Sequence, residues 1–255
     1  MKNKIYIVGM GPGREELMTK QAKMALEEAE ILVGYPVYLN LLGERFAQKK
    51  HHSTPMRQEE ERCRYCFEEA QKGKLVALIC SGDAGIYGMA SLMYEIGKDY
   101  PEIELCVIPG ITAASSGAAV LGAPLNHDFC VISLSDCLTP WQQIERRLVV
   151  AAEGDFAIAL YNPSSHRRKD YLQRACDILL QYMEGERACG YVENIGRENT
   201  KVVTCTLNEL RNATVNMFTT VFIGNSSSEI VNGKFITKRG YQIERGTDFC
   251  RNNRG

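Results

Sequence analysis

The chain has no excess charge of either sign: its 255 residues carry 30 Lys and Arg against 31 Asp and Glu, a formal charge of -1. A dedicated nucleic-acid binder shows a basic surplus, so that class is excluded. No apolar run approaches the roughly 20 residues that a membrane-spanning helix needs. The first apolar stretch, Ile5-Tyr-Ile-Val8, is too short for a secretion signal and runs straight into a strand pattern. A cytoplasmic protein with no membrane partner is therefore expected. Internal repeats and low-complexity segments are also missing. Among ten cysteines, Cys63 and Cys66 form one close pair, and no second pair completes a zinc or iron–sulfur site. No metal is expected. Thiols in a chain without a secretion signal are expected to be reduced. Cys80, Cys106, Cys130 and Cys205 sit in or beside strand-like runs, where a thiol acts as a small hydrophobe.

What the chain does have is alternation. Strand signals at Lys4–Val8, Glu30–Val33, Leu75–Cys80 and Glu104–Ile108 are separated by helical patterns near residues 15–29, 57–72 and 89–98, with another at 112–121. Such alternation predicts βαβ units and a mainly parallel sheet. The second half places strands at Phe129–Leu134, Phe156–Leu160, Ala188–Val192, Lys201–Thr206 and Thr219–Ile223, the late ones with little helix between them. That predicts a mixed sheet. The expected fold is two α/β domains, 1–118 and 119–241, joined by a small-residue connection at Gly117–Pro124 and followed by a polar tail, 242–255. Clefts between such domains are common small-molecule sites.

The richest segment is Ser81-Gly-Asp-Ala-Gly-Ile-Tyr-Gly88, after an apolar strand. Open α/β sheets place ligands at the C-terminal ends of their strands. Glycines there allow close backbone approach, and Asp83 can accept hydrogen bonds from a ligand's hydroxyl or amino group. Gly9-Met-Gly-Pro-Gly13 follows the first strand, but the third glycine of a dinucleotide fingerprint would fall on Arg14. The acid expected about 20 residues later is replaced by Leu32-Val-Gly-Tyr-Pro36. No Gly-Lys-Ser/Thr makes it a P-loop, and Pro12 removes an amide donor. Pro109-Gly-Ile-Thr112, Tyr161-Asn-Pro-Ser-Ser-His-Arg-Arg168 and Val192-Glu-Asn-Ile-Gly196 follow three further strands. Each loop alone is equally well a structural turn or a helix cap. Their common position at strand exits in both halves is not explained that way.

Together these residues resemble the tetrapyrrole methylase family, S-adenosylmethionine-dependent enzymes that methylate uroporphyrinogen and precorrin macrocycles. The likeness runs from Gly9-x-Gly-Pro-Gly13 to Gly224. Within the family, Ser81–Ala90, Pro124-Leu-Asn-His-Asp128 and Leu160–Arg168 are similar to the precorrin-3B C(17)-methyltransferase branch, which includes the cobalt-factor III enzymes. Uroporphyrinogen methylases have an aspartate after the second strand and Pro-Phe after the Gly-Asp, where this chain reads Gly34-Tyr35-Pro36 and Ala84-Gly85. The resemblance implies S-adenosylmethionine contacts at Pro12, Gly82, Asp83, Ile86, Thr112, Ala113, Asn162 and Ile195. It also implies a folded cofactor in the interdomain cleft and a homodimer. The first glycine loop, with Gly11 and Gly13, is expected on the macrocycle side. The macrocycle's carboxylates call for cationic side chains at the rim, for which Arg57 and Arg168 are expected, beside Arg14, Arg167 and Arg197. Ring contraction calls for acid–base groups: His127, Asp128 and Tyr161 are expected there, and His166 is a further possibility. The expected activity is methyl transfer to carbon 17 of precorrin-3B or cobalt-factor III in cobalamin biosynthesis. The alternatives are a sibling precorrin or uroporphyrinogen methyltransferase, a nucleotide-binding oxidoreductase, and a binding module without turnover.

Overall fold

The computed structural model describes residues 3–165 and 167–242. His166 and nearly all of the expected tail lie outside the described residues. The first half runs β1 (Lys4–Gly9), α1 (Lys20–Glu28), β2 (Ile31–Gly34), α2 (Pro36–Leu39), β3 (Lys50–Ser53), α3 (Glu59–Gln71), β4 (Val76–Cys80), α4 (Ala90–Ile96) and β5 (Glu104–Ile108). Its five strands form an all-parallel sheet in the order β3-β2-β4-β1-β5. Strand alternation divides β1 between two cores. Ile5 and Ile7 pack with Phe67, Met93 and Ile96 under α3 and α4, whereas Tyr6 and Val8 pack with Ala22 and Leu26 of α1. The helices that follow the neighbouring strands β1 and β4 therefore leave to opposite faces. That is a topological switch point, where the strand-end loops part and leave a crevice.

The chain then crosses to a second sheet through α5 (Ala113–Leu121), β6 (Gly122–Ala123), β7 (Phe129–Ser133), α6 (Trp141–Glu153), β8 (Ala157–Tyr161) and α7 (Tyr171–Leu179). It continues with β9 (Ala188–Glu193), β10 (Lys201–Thr206), α8 (Leu207–Arg211), β11 (Thr219–Ile223), β12 (Ser228–Val231) and β13 (Lys234–Thr237). The sheet order is β10-β9-β11-β8-β7, with β7 and β8 parallel and the other pairs antiparallel. The mixed character matches expectation. α6, α7 and α8 cover one face, and α5 covers the other through Ala114, Ala118 and Leu121 against Val192 and Phe222. α5 matches the helix expected at 112–121 and takes up residues 117–121 of the expected connection. Gly117 sits where a Cβ would lie 2.7 Å from the Phe222 ring, so the missing side chain is what lets α5 seat on the second sheet. The crossing itself is the short segment Pro109–Thr112. Further elements lie outside the sequence expectations, among them an edge strand and a hairpin. β3 is a polar edge strand, and β12–β13 is a hairpin whose Asn232-Gly233 turn has φ of 50° and 73°, the two positive values that a tight hairpin turn demands.

The Cys63–Cys66 pair is fully buried in the first core. Burial pushes the thiols of Cys63, Cys176 and Cys205 up to about 12 and that of Cys80 up to about 11. In the unfolded chain these thiols ionise from about 9, so between about 9 and 11 the fold holds protons that the unfolded chain has released. Their contribution to stability is complete below that window and is lost as pH rises through it. The urea midpoint is expected to hold up to about pH 8.5 and to fall steadily by about pH 11. A midpoint unchanged across that range would contradict the burial of these thiols in the native state.

Candidate active site

Three strand ends meet at the switch point. Gly9 ends β1, Gly82 follows β4 and Gly110 follows β5. A Cβ on Gly110 would lie 2.1 Å from the Gly82 carbonyl oxygen and 2.5 Å from that of Gly9, both rigid backbone. Gly11 and Gly82 exchange backbone hydrogen bonds, Gly11 N–H donating at 3.0 Å and Gly82 N–H at 2.8 Å, with φ of +78° and +67°. Only glycine adopts that conformation without strain. Asp83 pins the arrangement: its Oδ1 accepts from the Gly85 amide at 2.8 Å and its Oδ2 from the Gly110 amide at 3.0 Å. Each carboxylate oxygen keeps a second lone pair for a ligand.

The opposing wall belongs to the second sheet, and three clamps hold it in place. Tyr87 donates from its hydroxyl to the Val131 carbonyl at 3.1 Å and accepts from the Ser133 amide at 3.2 Å. These are groups that edge strand β7 would otherwise leave unpaired. The Tyr161 hydroxyl accepts from the Ala114 amide at 2.7 Å and shares a 2.5 Å hydrogen bond with Thr112 Oγ1. It thus caps α5, whose own N-cap residue Thr112 makes no side-chain capping bond. The Arg14 amide donates to the Gly196 carbonyl at 2.9 Å, across a contact so close that a Cβ on Gly13 would fall 2.2 Å from that oxygen. Backbone strain gathers at this junction: Tyr87, Asn162 and Asn194 have φ of 53°, 54° and 54°. Residues held this way cluster at functional sites.

Between the walls lies a cleft of about 170 Å³. Pro12, Gly82, Asp83, Ile86, Thr112, Ala113, Asn162 and Ile195 all line it, together with Tyr161. Residues 4–211 match the Tetrapyrrole (Corrin/Porphyrin) Methylases. The chain belongs to this family. It is 44% identical over 240 residues to a probable cobalt-factor III C(17)-methyltransferase of Salmonella typhimurium, covering 94% of this chain and 100% of that one. It is 43% identical over 247 residues to a cobalt-factor III methyltransferase of Priestia megaterium, covering 95% of this chain but only 46% of that protein's length. Among solved structures, the crystal structure of the methyltransferase CobJ superposes with a TM-score of 0.85 at 37% identity, over 92% of this chain and 99% of the other.

Set on this methylase scaffold, the other expected site residues separate. Gly11 and Gly13 lie in the first glycine loop, buried against Gly82 and Gly196. Arg57 lies away from the cleft, in a groove with His52, Tyr65 and Glu68 beside α3. Arg168 is held by Ser135 Oγ at 2.7 Å, Ser165 Oγ at 3.1 Å and Asp136 at 3.1 Å, so its charge serves to fasten two loops. His127 and Asp128 do not reach the cleft. They precede β7, whose far end, Ser133, is the one beside Tyr161, so five residues of extended chain, roughly 15 Å, intervene. His127 Nδ1 accepts from the Asp128 amide, and both side chains face solvent. Neither is placed to give the acid–base help expected of it in the cleft.

Sequence reasoning missed Tyr38 and Met217–Thr220, which also line the cleft. β11 runs antiparallel to β8, so its N-terminal end, Thr219, stands beside the C-terminal end of β8. A search confined to C-terminal strand ends passes over it. Tyr38 comes from the short α2, which propensity alone did not reveal. Burial raises the pKa of both Tyr38 and Tyr161, so these phenols stay neutral at ordinary pH. Among the described residues, no group of three or more His, Cys, Asp or Glu is placed to hold a metal, and no helix is long and apolar enough to cross a membrane.

The clamp geometry assigns Tyr161 a holding role. Tyr161→Phe strips the Ala114 amide of its partner, and a stability loss of about 1–2 kcal/mol is expected, with methyl transfer reduced but retained. Thermal unfolding and turnover measured on one preparation separate the alternatives. Abolished transfer at unchanged stability would mean that the phenol itself moves a proton.

Proposed function

We propose that this protein transfers the methyl group of S-adenosylmethionine to carbon 17 of a cobalt-factor III or precorrin-3B macrocycle, with contraction of the ring. The observation that carries the reading is the convergence of eight residues from five separate loops on one cleft between the two sheets. The substrate branch is supported by Ala84-Gly85 and Gly34-Tyr35-Pro36, and by the names of the two relatives. The cleft fits the cofactor: Asp83 keeps free lone pairs for hydroxyl or amino donors, and Ile86, 41% exposed, and the buried Ile195 offer apolar contact to a purine.

When bound, S-adenosylmethionine supplies an electrophilic methyl on a sulfonium. An electron-rich macrocycle carbon needs little activation to attack it, so the protein's main contribution is positioning, which at best lowers a barrier by about 7–11 kcal/mol. The paired glycine loops bring backbone up to both ligands. The clamps at Tyr87, Tyr161 and Gly196 hold the two walls at a set separation. Acid–base help for contraction falls to groups in the cleft, among them Asp83 and the neutral phenol of Tyr38. The reading extends to a cytoplasmic homodimer, which sedimentation would check.

Incubation with radiolabelled S-adenosylmethionine and cobalt-factor III or precorrin-3B is expected to give a labelled, ring-contracted product. Transfer to uroporphyrinogen alone would favour a sibling methylase, and cofactor binding without any product would favour a binding module.

A further inference from the structure

We propose that Arg197 is the cleft's carboxylate receptor: its guanidinium takes a carboxylate of the bound ligand and so sets the ligand's register between the two sheets. This rests on reading the cleft as a methyltransferase site.

Among the described residues, Arg197 Nε is the one buried side-chain nitrogen or oxygen with no hydrogen-bond partner. No carboxylate among the described residues lies within ion-pair distance of its guanidinium either. Other arginines drawn in from solvent are answered by the protein. Arg62 donates to Thr54 Oγ1 and to the Thr54 and Pro55 carbonyls, Arg168 to Ser135 and Asp136, and Arg211 to Asp177. Arg197 instead lies over the Phe218 ring at 4.9 Å, in the cleft lining beside Tyr38. An unanswered buried donor is a net cost to the fold, and an unpaired buried charge a larger one. Burial accordingly depresses the pKa of this guanidinium.

The side chain is also held in place. Its stem is packed under the first glycine loop, where a Cβ on Gly13 would lie 3.1 Å from Arg197 Cγ. Its backbone amide donates to the Asn194 carbonyl at 3.0 Å, and its own carbonyl accepts from Thr200 Oγ1 at 2.8 Å. A planar fork of donors, fixed at its base and free at its head, matches the two oxygens of a carboxylate. Two sources in the proposed reaction carry that group: the amino-acid end of S-adenosylmethionine and the acidic side chains of the macrocycle.

The test uses Arg197→Gln and Arg197→Lys in the full-length protein. Calorimetry compares S-adenosylhomocysteine with 5′-methylthioadenosine, the same nucleoside thioether without the carboxylate-bearing arm, and turnover gives KM for cobalt-factor III. If the cofactor is the source, Arg197→Gln is expected to bind S-adenosylhomocysteine about tenfold more weakly or worse, with 5′-methylthioadenosine unchanged. If the macrocycle is the source, its KM rises by about that factor while both nucleosides bind normally. Arg197→Lys is expected to recover part of the loss and supplies the same readings should Arg197→Gln fail to fold. The proposal is overturned if neither arm changes, or if both nucleosides weaken together, which would mean a general distortion of the cleft. A parent protein that methylates no macrocycle would end the proposed function, while the paired calorimetry would still report on Arg197.

Discussion

Gly110→Ala is expected to destabilise the protein by about 2–3 kcal/mol and to abolish binding of S-adenosylhomocysteine. The added methyl would sit 2.1 Å from the Gly82 carbonyl oxygen and 2.5 Å from the Gly9 carbonyl oxygen. Neither atom is the end of a flexible side chain. Relief requires β1, β4 and β5 to part at the point where their loops form one wall of the cleft. The Gly11–Gly82 backbone pair and the Gly110–Asp83 hydrogen bond would be disturbed by the same displacement. Urea unfolding and calorimetry on the purified variant check both halves of the prediction. A variant as stable as the parent, with unchanged affinity, would show that the three strand ends do not pack as described.

The second large effect is expected at Asp83. Asp83→Ala leaves the Gly85 and Gly110 amides without partners, and removes the acceptor that the ligand's hydroxyl or amino groups would meet. Weakening of S-adenosylhomocysteine binding by about tenfold to a hundredfold is expected, corresponding to roughly 1–3 kcal/mol. Stability should fall by a smaller amount, because the Gly85 amide is exposed and water can take over that bond. Asp83→Asn keeps one acceptor oxygen but turns an amino group toward one of the two amides, so it is expected between parent and Ala. Equal affinity in all three proteins would remove Asp83 from the site.

The legible part of the site was carried by local rules. Glycine and proline at strand exits, with an acid following Gly82, point to ligand loops whatever the rest of the chain does. The eight contacts that the family resemblance implied sit on such loops and line a single cleft. The exit loops of β1, β4, β5, β8 and β9 were therefore readable in advance. Arg57 and Arg168 were judged by charge and loop position alone, yet one faces a separate groove and the other is occupied by Asp136. His127 and Asp128 failed for a related reason. Sequence places them next to β7 but does not say which end of β7 faces the first sheet. Tyr161 was found for its position, whereas its use as the cap of α5 depends on a helix 47 residues earlier. The Asn232-Gly233 turn did carry a readable hairpin signal.

The sequence by itself determined the two α/β sheets, the parallel character of the first and the glycine-lined strand exits. Hydrophobic periodicity and backbone permissiveness act over a few residues and leave their mark directly in the chain. The tertiary structure decided which polar groups face the cleft and which of them are already satisfied. Antiparallel β11 brings Thr219 and Thr220 to the cleft, Tyr87 closes the edge of β7, and Arg197 is left with a buried donor that no residue described here answers. Those outcomes depend on pairings between segments far apart in sequence, where the partner of each group is known only once the chain has closed around it.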